Sequence, residues 1–131
     1  MASILRVNTL TDTSSNNSIA TSFVFSGSAK AWAKIAANGA SILDSFNVSS
    51  HDDDGTGDGG IHINSDMDSA NYVIQLTVDD GGAGSSVNSV EVTNDTQAAG
   101  TFDYTNNYVN SAENRVAFDV DRYIAVLGDL A

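Results

Sequence analysis

Short stretches in which apolar and polar residues alternate at period two recur along this 131-residue chain, separated by clusters of Gly, Asn, Asp and Ser, and the sequence contains no proline. Such alternation sends successive side chains to opposite faces of a strand, one face toward a core and one toward solvent. Without proline, every reversal has to be made by residues that accept positive φ or hydrogen-bond their own backbone. The clearest run is residues 72–78: Tyr72, Ile74, Leu76 and Val78 fall on one face, Val73, Gln75, Thr77 and Asp79 on the other. Both faces begin apolar, which predicts a strand whose first half is central in its sheet. Shorter strands are expected at 61–64, 87–93 and 102–104, and one extended stretch over 115–127. About seven strands, with a loop about every ten residues, predict an all-β domain, an antiparallel β-sandwich or barrel of jelly-roll-like form.

Residues 28–37 are rich in alanine and lysine, and propensity alone favours a helix there. The pattern favours a strand: Ala29, Ala31, Ala33 and Ile35 alternate with Lys30, Trp32 and Lys34, and the run stops at Asn38-Gly39, a favoured hairpin turn. Residues 51–60, His-Asp-Asp-Asp-Gly-Thr-Gly-Asp-Gly-Gly, read as a surface turn that buries nothing, with strands on either side. Residues 106–114 read as a polar loop. The first 28 residues form a separate unit, with Ile4-Leu5 and Phe23-Val24-Phe25 at the ends of a Ser, Thr and Asn-rich middle. They are expected to be an extended N-terminal arm for anchoring or exchange, and residues 29–131 the β-sandwich domain.

Charge and composition narrow the function. The formal charge of −12, from 17 acidic and 5 basic residues, disfavours nucleic acid and anionic membranes as partners. No apolar run reaches the roughly 20 residues that cross a bilayer, and the N-terminus has no signal-peptide pattern. There is no cysteine, hence no disulfide, thiolate metal site or thiol nucleophile. Apolar residues make up 41% of the chain and many are alanine, so a monomer buries modestly and self-association is expected to supply the rest.

Chemistry-bearing patterns are sparse. Asp54, Thr56 and Asp58 alternate like the first half of a calcium loop, but the twelfth position is Ser65 where a bidentate Glu belongs. Apart from that possible calcium, no cofactor is expected. His51 and His62 near the aspartates, and Asp119 with Asp121 on one strand face, offer acid–base or glycosidase-like pairs without a nucleophile motif. Arg115 and Arg122 beside them suggest salt bridges across a subunit boundary. Trp32, Phe46, Tyr72, Tyr104, Tyr108 and Tyr123 are core, interface or sugar-stacking residues, with Tyr104 and Tyr108 the candidate glycan contacts. The expected class is non-enzymatic.

Lys30-Ala31-Trp32-Ala33-Lys34, then residues 44–50 (DSFNVSS), residues 54–58 (DGTGD) and residues 68–73 (DSANYV) follow one another in an order and spacing that resemble a module of phage tail-fibre-like proteins. The familiar form is KAWVNF, a Gly-rich turn, SFNVSSxTDNGTGDY, a short strand and xxANYxV; the aromatic after GTGD is here Gly59. The opening MASILRVNTL resembles the MASILKVDTIQDTSG start of virion fibre proteins from marine and freshwater phages. The resemblance implies a homotrimeric β-structure on the virion surface, on capsid or tail. The expected partners are further copies of the chain and the major capsid protein or other virion proteins. The expected function is capsid decoration, as a cement protein or short head fibre. The alternative is a tail-fibre knob that binds a host surface polysaccharide, and a more distant one a secreted calcium- or sugar-binding module. Interface and anchor candidates are Ile4, Leu5, Val7, Phe23, Phe25, Ala31, Trp32 and Ala33, with the small alanines allowing close strand approach near a symmetry axis.

Overall fold

The computed structural model describes residues 4, 6–15, 17–37, 41–81, 87–93 and 95–131. Two antiparallel sheets enclose one core. The front sheet has the order β4 (Ile42–Phe46), β3 (Ala29–Ile35), β11 (Arg122–Leu127), β7 (Val73–Val78). In the back sheet β5 (Val48–Gly55), β6 (Asp58–Ile63) and β9 (Thr101–Val109) are neighbours, with β8 (Val87–Val92) and the short β10 (Arg115–Ala117) also on β9. The all-β reading holds. The connectivity combines local hairpins within one sheet, β3–β4 and β5–β6, with passages between the sheets at β4–β5, β6–β7 and β10–β11.

The alternation read from the sequence builds the core. Ala31, Ala33 and Ile35 of β3 and Ile124 and Val126 of β11 face Ile61 and Ile63 of β6 and Phe102 and Tyr104 of β9. Ile61 and Phe102 are adjacent in register and fully buried, each removal from water worth roughly 1.5–3 kcal/mol. The alanines allow the sheets to approach closely. They are therefore spent inside one protomer, and the expectation that Ala31 and Ala33 meet a symmetry mate is corrected.

Four further expectations change. The 51–60 segment is not a loop: β5 and β6 run through it, leaving only Thr56 and Gly57 as the turn, with Gly57 at φ 81°. Its glycines permit close approach, since a Cβ on Gly59 would lie 2.7 Å from His51 Nε2 and 2.9 Å from the Tyr104 hydroxyl. Likewise β9 continues through 106–109, because β8 covers its far edge and β10 extends beside β6. The 115–127 stretch is two strands in two sheets; residues 118–121 cross between them. Finally, β7 is an edge strand of the front sheet, so Val73 faces outward and is 62% exposed.

The first 28 residues are not extended throughout. Residues 9–11 (β1, Thr9–Thr11) and 18–20 (β2, Ser18–Ala20) form a small hairpin, and α1 (Thr21–Gly27) follows. The Lys30 ammonium hydrogen-bonds the Phe25 carbonyl and Ser28 Oγ, placing a cation at the helix C-terminus where the exposed carbonyls favour it. The Asn38-Gly39 turn lies outside the described residues, although the hairpin that it was expected to close is present.

Candidate interaction face

Strand register decides which side chains each sheet turns outward. On the front sheet one row runs Phe46, Trp32, Ala125, Gln75, and the next Asp44, Lys34, Tyr123, Thr77. A third row joins Ala29, Leu127 and Val73. Trp32 and Tyr123 are each 38% exposed and Phe46 55%. Lys34 and Asp44 are the charged members of these rows, and Lys34 is further held by Asp121, 3.0 Å away, with its ammonium 5.2 Å from the Tyr123 ring centre. That hydrogen bond holds the Lys34 pKa above its usual range and the Asp121 pKa below its own. The front face is thus aromatic and nearly neutral.

The back sheet is the reverse. Its outward rows hold Asp52, Gly60 and Asp103, then Asp58, Thr105 and Glu91, then Ser50, His62 and Thr101. His62 lies 2.7 Å from Asp52, and Arg115 pairs with Glu91. An exposed apolar row on one face and a carboxylate-rich surface on the other give the sandwich one face suited to association and one suited to water.

Between the sheets lies a chain of polar side chains. Arg122, 1% exposed, bonds Asp119 Oδ1 at 2.9 Å and carries its guanidinium 5.4 Å from the Tyr104 ring centre. Tyr104 in turn meets His51 Nε2 at 2.7 Å. Asp119 Oδ1 also accepts the Gly57 amide at 2.8 Å, tying the β5–β6 turn to the crossover. Burial pushes the Tyr104 hydroxyl up to about 12, and burial followed by Arg122 lowers His51. These contacts tie β5, β9, β11 and the 118–121 crossover to one another.

The sequence-derived candidates separate accordingly. Trp32 lies on the front face. Asp54 and Asp58 flank the hairpin turn that contains Thr56, and among the described residues no group of three or more His, Asp or Glu side chains is placed to hold a metal ion. Tyr104 is buried, and Tyr108 is packed edge-on to Phe118 with ring centres 5.3 Å apart, so neither forms an open glycan platform. Arg122 and Arg115 bridge within the protomer, which corrects their assignment to a subunit boundary. Asp119 and Asp121 are held separately, by Arg122 and by Lys34 with the Ala37 amide. Ile4, Val7, Phe23 and Phe25 are exposed; Leu5 lies outside the described residues. Phe46 and Tyr123, left open between core, interface and sugar-stacking roles, join Trp32 on this face, and Val73 was missed there. Their signal was the outward half of each alternating run.

Comparison with protein families, curated proteins and solved structures finds no match to this chain.

Proposed function

We propose that this chain is a non-enzymatic structural protein of a tailed-phage particle surface, a capsid decoration protein or short head fibre that acts by associating with copies of itself and with the shell. Two lines support the reading. The sequence resemblance over residues 1–80 points to virion fibre modules, and the opposed faces of the sandwich suit a subunit that packs on one side and meets solvent on the other. The observation that carries it is the outward Phe46–Trp32–Ala125 row in a chain of formal charge −12. Copies of so acidic a protein repel, and a nearly neutral aromatic face is where they associate at least cost.

The test is binding of purified protein to emptied phage heads, with host cells as the parallel arm. Cosedimentation with heads is the expected result. Binding to cells alone favours the second reading, a receptor-binding tail knob, for which Trp32 and Tyr123 beside Gln75 and Thr77 offer stacking and hydrogen-bonding groups for a host glycan.

A further inference from the structure

Leu10 and Ile19 stand opposite each other on the β1–β2 ladder, each 45% exposed, on strands that otherwise present Thr9, Thr11, Ser18 and Ala20. A two-stranded hairpin is at best marginally stable in water, and β1 and β2 pair with neither large sheet. An apolar pair on so small a ribbon gains stability when something covers it.

Charge indicates what does. Residues 1–28 carry one basic side chain, Arg6, and one acidic side chain, Asp12, so the whole formal charge of −12 resides in residues 29–131. Two sandwiches repel each other, whereas a neutral hairpin approaches an acidic neighbour without that penalty, and the exposed Arg6 adds attraction. The matching surface is the front face, whose outward rows carry Lys34 opposite Asp44 and otherwise aromatic, aliphatic and uncharged polar groups.

We infer that the N-terminal hairpin of one copy docks its Leu10–Ile19 pair on the Phe46–Trp32–Ala125 row of a second copy. The contact joins two different surfaces, so it repeats from copy to copy until a ring closes, as a trimer requires. Phe25, exposed on α1, borders a pocket with Ala29 and Phe46 of its own copy and so widens the receiving row. The inference rests on the reading of the front face as a self-association surface and names what occupies it.

The cysteine-free sequence makes the test direct. Full-length Ile19→Cys protein is mixed with differently tagged Phe46→Cys protein and treated with a short bismaleimide. A linked heterodimer is expected, with little product when Asp52→Cys on the back face replaces Phe46→Cys. Absence of the Ile19–Phe46 product, or equal linking to Asp52, overturns the inference. In parallel, light scattering on the full-length Leu10→Asp/Ile19→Asp variant should show a monomer where the unmodified chain is an oligomer. An oligomer that survives the double substitution also overturns the hairpin's role. If the unmodified chain is itself a monomer at micromolar concentration, both the inference and the self-association reading fall; an oligomer without the cross-link sinks the inference alone.

Discussion

The Tyr104 hydroxyl lies 2.7 Å from His51 Nε2, the two rings stack 5.9 Å apart, and the Gly59 backbone passes against both. The site is closed because Gly59 has no side chain. Tyr104 reaches this glycine from β9 and stacks on His51.

This packing makes stability depend on pH. Burial, then Arg122, lowers the His51 pKa in the folded state, so below the unfolded value of about 6.5 the unfolded chain binds the proton more readily. The contribution of neutral His51 is complete above that value and is lost as pH falls through the window beneath it. Calorimetry should show Tm falling as the pH drops below about 6.5. In His51→Gln the slope over that window should be shallower.

Gly57 and Gly55 separate two costs of substitution at the hairpin turn. Both have positive φ, 81° and 126°, but a Cβ on Gly57 would collide with the Asn106 carbonyl and lie 3.0 Å from the Phe118 nitrogen, whereas one on Gly55 meets nothing within 4 Å. Gly55→Ala should therefore cost the backbone strain alone, about 1–2 kcal/mol. Gly57→Ala should cost about 3 kcal/mol or more, because backbone must also move. Urea denaturation of the two variants measures the difference.

What the sequence made legible, and what it did not, follows one physical line. Ala31, Ala33, Ile35, Ile74, Leu76, Ile124 and Val126 point inward as their alternation required. Residues 51–60 misled because glycine and aspartate read as loop, while here Gly57, Gly59 and Gly60 are strand or turn residues that let β5, β6 and β9 approach closely. The break at residues 118–121 left no mark in the pattern, since Phe118 and Val120 keep the alternation while the chain changes sheet. Arg122 in the core was equally hidden: its partners Asp119 and Tyr104 are brought to it by the crossover and by the other sheet.

That pair, Arg122 buried and Asp119 partly open to water, gives an asymmetric prediction. Removing Asp119 leaves the enclosed Arg122 guanidinium without its carboxylate and the Gly57 amide without its acceptor, at a cost of about 1–3 kcal/mol, since Asp119 is itself partly open to water. Replacing Arg122 by Met removes the charge that needs compensating and fills similar space. Asp119→Ala should therefore be markedly less damaging in the Arg122→Met background than alone, a coupling that a double-mutant cycle in urea reads directly.

On the front face, association and stability should respond to different substitutions. Phe46 is 55% exposed opposite Trp32, so Phe46→Ser removes one cross-strand pair and should change monomer stability by no more than about 1 kcal/mol. If the face associates, the same change should weaken association by at least about tenfold, roughly 1.4 kcal/mol, in sedimentation or light scattering. Gln75→Glu leaves every apolar group in place and adds one negative charge to the same outward row. It too should weaken the oligomer, through added repulsion from the acidic sandwich that carries the docked hairpin, which salt screens beyond about 8–10 Å at physiological ionic strength. Added salt should therefore restore association to Gln75→Glu and leave Phe46→Ser impaired. Asp103→Ser on the carboxylate-rich back face should leave association intact, since its effect lies on the surface turned to solvent.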